Sequence, residues 1–85
     1  MKLNLRSIDL NLLPVFEAII ETGQLSKAAL RLSMSQPALS AAVQRLRVTL
    51  DDPLFIRTRK GVNPTPRALE IYDEIHPLLE QMRQG

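Results

Sequence analysis

The chain has 85 residues, which is enough for one hydrophobic core and too few for two. Its composition, 45% hydrophobic and 24% charged with a net charge of +2, excludes a disordered or collagen-like chain. Because cysteine is absent and His76 is the single histidine, a disulfide framework and a thiolate or two-histidine zinc site are excluded. No apolar run approaches the roughly 20 residues of a membrane span, and the first residues lack the core of a secretory signal. We therefore expect a cytosolic protein with no membrane partner, no metal and no other cofactor.

The basic residues are concentrated in the middle of the chain. Positions 22–69 carry a net charge of +6, whereas positions 1–21 carry −1 and positions 70–85 carry −3. A basic centre between acidic ends favours a surface that meets a polyanion. Many soluble domains carry such a stretch, so this interpretation depends on the motifs that follow.

The first predicted helix covers residues 8–21, where apolar side chains recur at helical spacing. Either Asp9 or Asn11 is its N-cap, and Pro14 fits the first turn if Asn11 is the cap. Gly23 ends the helix. A second, shorter helix follows, with Ser26 as its predicted N-cap.

The short helix is followed by a turn and a longer third helix. Ala28 and Ala29 let the two helices cross closely, and the turn lies at Ser33 and Met34. The third helix begins at the N-cap Ser35 and runs to about residue 50, where the sequence Asp-Asp-Pro stops it. This order of elements matches the helix-turn-helix arrangement.

The third helix has two different faces. Its core-facing stripe consists of Leu39, Val43, Leu46 and Leu50. Its outer face is small and polar, and it consists of Pro37, Ser40, Ala41 and Gln44, with Gln36 at the tip. Glutamine can pair with the edge of adenine and serine with several base edges, so this face fits a major groove. The alternative is the solvated face of an ordinary helix bundle.

A β-hairpin is predicted after the third helix, with strands at residues 54–58 and 62–64. Gly61 can take the positive φ that a short hairpin with a bulge requires. Arg57, Arg59 and Lys60 lie at the tip, where long basic side chains can reach phosphates or a narrow minor groove. The alternative is a charged turn that only increases solubility.

The last predicted helix begins at Thr65 and Pro66 and extends toward Met82, with a kink near His76 because of Pro77. Its apolar residues repeat at spacings of three and four, as in a coiled coil, and a second stripe on the first helix can complete the seam. We expect dimerisation through both stripes, with core packing inside one monomer as the alternative. The predicted dimer contacts are Leu13, Ile20, Ala68, Ile71, Tyr72, Ile75, Leu78, Leu79 and Met82.

Catalytic chemistry finds little support in the sequence. His76 is expected to face a partner or solvent, and no nucleophile motif accompanies it. The adjacent acidic pairs at 51–52 and 73–74 point in diverging directions, and no glycine-rich phosphate loop is present. No catalytic residue is assigned, and we expect a protein that is not an enzyme.

Three motifs together resemble one family. They are Gln24-Leu25-Ser26-Lys27-Ala28-Ala29 through Leu32, then residues 34–40 (Met-Ser-Gln-Pro-Ala-Leu-Ser), and residues 52–58 (Asp-Pro-Leu-Phe-Ile-Arg-Thr) with Gly61 and Pro64-Thr65. In this order and spacing, they resemble the N-terminal domain of LysR-type transcriptional regulators over nearly the whole chain. Two departures stand out: Ala41-Ala42 replaces a basic residue and a glutamine, and Asp51-Asp52 replaces a helix-closing glycine.

The resemblance implies a mainly α fold, a winged helix-turn-helix with three helices and a two-stranded wing in residues 1–65. Residues 66–85 are a dimerising linker helix of the same structural unit. The third helix would enter the major groove and the wing would follow the minor groove. The implied base-reading residues are Gln36, Pro37 and Ser40, and the outer face of the third helix adds Gln44 to them. The implied backbone and wing contacts are Ser26, Lys27, Ser35, Arg57, Arg59 and Lys60. We add Arg47 as a backbone contact that compensates for the basic residue missing from the third helix.

The sequence therefore predicts a bacterial DNA-binding domain that acts as a homodimer on a dyad-symmetric operator. The alternative is a helical protein-interaction module without specific DNA binding. The resemblance also implies a larger effector-binding domain, so a small-molecule effector and any tetramer would require chain beyond these residues.

Overall fold

The computed structural model describes residues 9–84, and the predicted helix start at Ile8 and the predicted linker end at Gly85 lie outside this range. Within this range, four α-helices and one hairpin follow each other. The helices are α1 (Leu13–Thr22), α2 (Leu25–Leu32), α3 (Gln36–Leu50) and α4 (Pro66–Gln84), and the strands are β1 (Phe55–Thr58) and β2 (Gly61–Pro64). Within residues 9–84, no helix combines the length and the apolar character needed to cross a bilayer.

Of the two predicted N-caps, Asp9 caps a 3-10 turn that precedes α1, whereas α1 itself has Leu12 at its capping position and no side-chain cap. The Asp9 carboxylate accepts a hydrogen bond of 2.9 Å from the Asn11 N–H and caps a 3-10 turn at Leu10–Leu12. The α-helix begins only after this turn, so Pro14 lies in its first turn, where a missing N–H costs little. Gly23 ends α1 in the left-handed conformation, as predicted.

The helix-turn-helix is formed by α2 and α3. The prediction that Ser26 caps α2 is wrong: the helix begins at Leu25, the capping position is Gln24, and no side chain caps it. Ser33 takes the left-handed conformation at the turn, with a φ of 56°. The prediction for α3 is confirmed, because the Ser35 hydroxyl accepts a hydrogen bond of 3.2 Å from the Ala38 N–H.

The hairpin differs from the prediction in three respects, the first of which is that β2 begins at Gly61 rather than at Val62. Its strands pair in continuous antiparallel register from Phe55 opposite Pro64 to Thr58 opposite Gly61, so the predicted bulge is absent. Leu54 lies outside β1 and has a φ of 65°, which is unusual for a leucine. The Asp52 carboxylate accepts hydrogen bonds from the Leu54 N–H and the Thr65 hydroxyl and so holds this segment against the start of α4.

One core lies between the hairpin and all four helices, including Ala28 and Ala29 of α2. Its largest fully buried side chains are Phe16, Ile19, Leu39, Leu46, Leu54 and Ile75. The predicted cap of α4 is confirmed, because the Thr65 hydroxyl accepts a hydrogen bond of 3.1 Å from the Ala68 N–H. α4 is continuous through Pro77, and the predicted kink there stays a prediction. The mainly α fold with a two-stranded wing is confirmed.

Candidate nucleic-acid interface

The polar face of α3 is open to solvent. Gln36, Pro37, Ser40 and Gln44 are all exposed, whereas the opposite stripe, which includes Leu39 and Leu46, is fully buried. Ser26, Lys27 and Ser35 are also exposed, at the ends of α2 and α3 that lie near this face. The two faces of α3 are therefore divided as its sequence periodicity predicts.

Two neighbouring grooves connect α3 with the hairpin. The first is an open cleft bounded by Gln24 and Ser26 of the α2 start, by Gln36, and by the hairpin from Arg57 to Val62. The second lies between Ser40 and Gln44 on α3 and the hairpin, and Arg57 lines it as well. The Arg57 side chain therefore stands at the boundary between the polar face of α3 and the hairpin tip.

The cleft is basic. Arg57, Arg59 and Lys60 line it. Lys27 is exposed on α2, next in sequence to Ser26, and none of these four cations forms an ion pair within residues 9–84. No acidic side chain lines either groove in this part of the chain. Unpaired cations around an acid-free groove raise the local positive potential and favour a polyanionic ligand.

The hairpin is fixed to the turn between α1 and α2. The Val62 N–H donates a hydrogen bond of 2.9 Å to the Gly23 carbonyl. The Gln24 side-chain amide donates one of 3.2 Å to the Lys60 carbonyl. A Cβ on Gly61 would lie 2.1 Å from the Gly23 carbonyl oxygen, so only glycine allows this close approach. Sequence reasoning missed this attachment, although glycines at both positions are a visible sign of it.

Three other arginines are engaged inside the domain. Arg47, a predicted backbone contact, donates hydrogen bonds of 2.7 and 3.0 Å to the carbonyls of Pro53 and Phe55, which joins α3 to β1. Arg31 pairs with Glu21, and Arg45 pairs with Asp9, away from the cleft. The structure thus gives Arg47 a role within the monomer that the sequence prediction did not include.

The predicted dimer seam is mostly used inside one monomer. Leu13, Ala68, Ile71, Ile75 and Leu79 are buried in the core, because α4 packs along α1 of the same chain. These five side chains already pack inside the monomer, although Leu13, Ile75 and Leu79 also line an exposed groove, and the nine-residue seam stays a prediction. The two residues that are half-buried are Ile20 and Tyr72.

An apolar groove remains exposed beside these core residues. Leu78 is 48% exposed and Met82 69% exposed, and the groove also includes Leu10, which is 54% exposed. Sequence reasoning did not include Leu10 in the seam, because the 3-10 turn that turns it toward α4 was not predicted.

The sequence predicts that His76 faces a partner or solvent. In the structure its ring instead contacts two carboxylates of α1. Its Nδ1 lies 2.7 Å from Glu17 Oε2 and 3.6 Å from Glu21 Oε2. Arg83 donates to the other oxygen of Glu17, and the Tyr72 hydroxyl donates a hydrogen bond of 2.6 Å to Glu21. The Tyr72 and His76 rings stack with their centroids 5.0 Å apart.

These contacts shift the pKa values of Glu21, Tyr72 and Arg83. The Tyr72 hydrogen bond lowers the pKa of Glu21, and Arg31 lowers it further. Burial and the Glu21 carboxylate raise the pKa of Tyr72 to about 12. The hydrogen bond to Glu17 raises the pKa of Arg83.

The same cluster has the composition of a cation site. Ligand atoms of Glu17, Glu21 and His76 lie within 4.8 Å of one another. Each carboxylate oxygen, however, already accepts a hydrogen bond from a cationic, phenolic or imidazole group. The cluster is therefore a closed hydrogen-bond network in this structure, and it connects α1 with α4.

Comparison with known proteins agrees with this architecture. The family described as "Bacterial regulatory helix-turn-helix protein, lysR family" matches residues 10–69. The HTH-type transcriptional regulator LeuO of Escherichia coli (strain K12) is 44% identical over 79 residues, which cover 93% of this chain and 25% of LeuO. NahR, an HTH-type transcriptional activator of Pseudomonas putida, is 41% identical over 83 residues, which are 98% of this chain and 28% of NahR.

Solved structures show the same fold. The probable transcriptional regulator PA0477 from Pseudomonas aeruginosa has a TM-score of 0.93 at 40% identity, over 95% of this chain and 27% of that protein. The BenM_DBD/catB site 1 DNA complex has a TM-score of 0.83 at 32% identity, over 91% of this chain and 86% of the BenM chain. The chain spans about a quarter of the length of the curated relatives LeuO and NahR. It belongs to the LysR family of bacterial regulatory helix-turn-helix proteins.

Proposed function

We propose that this domain binds double-stranded DNA of a specific sequence, with α3 in the major groove and the β1–β2 hairpin at the adjacent minor groove. The observation that carries the proposal is the acid-free basic cleft that runs from the polar face of α3 to the hairpin. An exposed helix face of small and polar residues, next to unpaired cations, has the shape and charge that the major groove requires. Relatives of similar fold were solved as DNA complexes, which supports this assignment.

The contacts divide by chemistry into two groups. Gln36, Ser40 and Gln44 carry the donors and acceptors that can read base edges, with Pro37 packing beside them. Lys27 and the exposed cations of the hairpin, together with Ser26 and Ser35, reach the sugar-phosphate backbone and set the register. We place Arg57 between the two groups, because it lines both grooves.

We further propose that two copies bind a dyad-symmetric operator through α4. Residues 1–65 then form the DNA-reading part, and residues 66–85 form the dimerisation helix of the same unit. The exposed groove of Leu10, Leu78 and Met82 supports this, since isologous pairing of two copies would remove it from water. Effector binding and tetramer formation are proposed only for longer proteins of this family.

The domain acts by recognition rather than by catalysis, and its site of action is the bacterial nucleoid in the cytoplasm. Membership of a family of regulatory proteins supports this. The second candidate function is a helical protein-interaction module that does not bind specific DNA. The apolar groove beside α4 is the observation that favours it.

Titration against duplex DNA at several salt concentrations separates the two functions. A DNA-binding domain should lose affinity by decades between low and physiological salt, with a log–log slope of about −0.9 per neutralised phosphate. A flat salt response without sequence preference would leave only the interaction module. Selection of bound sequences from a random duplex pool then supplies the operator and shows whether it has dyad symmetry.

Three variants test the division between reading and anchoring residues. Gln36→Ala should relax preference at one base position, since a good bidentate contact discriminates by about 1–3 kcal/mol. Lys60→Ala should weaken binding to all sequences about equally and reduce the salt slope by about 1. Arg45→Ala is the matched control, because this arginine is exposed but pairs with Asp9 outside the cleft, and it should change neither property. Identical effects of the first two variants would contradict the division.

A further inference from the structure

The contact between α1 and α4 contains an ion-pair network that the proposed function does not use. Glu17 is the one buried charged side chain within residues 9–84, with 3% of its surface exposed. Both of its partners, His76 and Arg83, come from α4. Glu21, one turn further along α1, accepts from Tyr72 of α4 and from Arg31 of α2. Two carboxylates of α1 therefore connect the linker helix to the helix-turn-helix.

The network holds α4 at three residues, Tyr72, His76 and Arg83. His76 and Arg83 are seven residues apart, which is about 10.5 Å of helix. Apart from its cap at Thr65 and the hydrogen bonds of the network, including that of Tyr72, α4 packs on the core through apolar side chains such as Ile75 and Leu79, and apolar contact has no preferred direction. Hydrogen bonds to a buried carboxylate are directional, so they fix the rotation and the register of α4 on α1.

If α4 took a different register on α1, other residues of α4 would face the buried Glu17, and they would make worse partners for it. A slide of one helical turn, about 5.4 Å, would bring either Glu80 or Tyr72 to the position that His76 occupies. Glu80 would place a second carboxylate next to the buried Glu17, and like charges at close range repel. Tyr72 would supply a hydroxyl but no positive charge. Only the observed register gives Glu17 two partners that can carry a positive charge.

We propose that Glu17 is a positioning residue that sets the distance and angle between the two recognition helices of the dimer, and so the half-site spacing of the operator. The inference rests on the proposed DNA-binding dimer. In such a dimer α4 is the element shared between the copies, and α3 is carried on the unit that Glu17 fixes to α4. An error in the register of α4 therefore moves each α3 relative to its half-site.

The test is the spacing tolerance of the 85-residue chain on selected operators. One base pair inserted between the half-sites turns one of them by about 34° and moves it by about 3.4 Å. For the wild-type chain we expect the insertion to weaken binding by about tenfold or more. For Glu17→Gln we expect this penalty to fall to about threefold or less. Its affinity for a single half-site should stay within about twofold of the wild-type affinity.

Glu80→Gln is the matched control, because Glu80 also accepts a hydrogen bond from Arg83 but its side chain is 44% exposed. It should keep the full spacing penalty. A folded Glu17→Gln chain with lowered thermal stability and an unchanged spacing penalty would overturn the inference and leave the DNA-binding proposal intact. If the wild-type chain shows no preference among DNA sequences, the proposed function itself fails.

A second variant keeps the test decisive if Glu17→Gln does not fold. Arg83→Gln removes one partner of the same carboxylate from a side chain that is about half exposed. We expect it to relax the spacing penalty in the same direction. An unchanged penalty in this variant would also contradict the inference.

Discussion

The hairpin attachment allows a prediction whose size follows from the geometry of Gly61. In Gly61→Ala the new Cβ would lie 2.1 Å from the Gly23 carbonyl oxygen, and the residue would keep a φ of +153°. That backbone conformation alone costs a residue with a Cβ about 1–3 kcal/mol. Relief of the clash requires the hairpin to move away, which loses the Val62 hydrogen bond and about 1 kcal/mol more. We therefore expect unfolding free energy to fall by about 2–4 kcal/mol.

Gly23→Ala is the matched control. Gly23 also has a positive φ, of 71°, but a Cβ there would meet nothing within 4 Å. Its expected cost is only that of the left-handed conformation, about 1 kcal/mol. Urea unfolding followed by circular dichroism measures both variants, with the slope of the transition checked for constancy. Equal losses in the two variants would refute the close-approach argument, since the variants differ mainly in the clash.

Three further predictions concern single side chains. Ser35→Ala should lower stability by about 1 kcal/mol in urea unfolding, because the Ala38 N–H loses its cap, and a loss under 0.3 kcal/mol would exclude that role (about a quarter of a usual cap). Folding raises the pKa of Tyr72. Its hydrogen bond therefore contributes fully to the free energy of unfolding below the unfolded pKa of about 10, and this contribution is lost as pH rises toward about 12. Between about pH 10 and about pH 12, Tyr72→Phe should therefore lose less unfolding free energy than wild type. Parallel plots of unfolding free energy against pH for the two proteins would contradict a stabilising hydrogen bond from Tyr72 to Glu21. Arg47→Ala should lower the unfolding free energy by about 1–2 kcal/mol, because two backbone carbonyls lose their donor. The salt slope of DNA binding should change little, and a slope reduced by about 1 would show that Arg47 contacts a phosphate instead.

The elements that sequence reasoning predicted correctly are those decided by local chemistry. Ser35 and Thr65 cap helices through hydrogen bonds within three residues, and Gly23 ends α1 through its own backbone freedom. The periodicity of α3 also decides its faces, because burial on one side leaves the other side to solvent. These features depend little on distant parts of the chain.

The errors have a common cause in contacts between distant segments. Leu54 leaves the strand because Asp52 holds its N–H and also binds Thr65, which lies 13 residues away. α2 begins one residue before the predicted cap, and its capping residue, Gln24, reaches across to the Lys60 carbonyl. Secondary-structure propensity depends only on residues that are close in sequence and cannot include such contacts. The boundaries of helices and strands are therefore the features that sequence reasoning misplaces first.

The network at Glu17 was also invisible to motif reasoning, because Glu17 and His76 are 59 residues apart. One signal was nevertheless present. The second apolar stripe of α1 runs from Leu13 to Ile20, and Glu17 lies between them at helical spacing. A carboxylate inside an apolar stripe requires a partner, since burial of an unpaired charge is costly. That requirement indicates an ion pair, although it does not identify the partner.

The position of the acidic residues explains how a chain of net charge +2 carries a strongly basic surface. The carboxylates of Asp9, Glu17, Glu21 and Glu80 all pair with basic side chains on the side of α1 and α4. Because no member of these pairs lines the cleft, they leave Lys27 and the cations of the hairpin without an acidic partner within residues 9–84. The field at the cleft is therefore larger than the net charge indicates. The contacts that hold α4 in register thus also keep acidic groups away from the surface proposed to meet DNA.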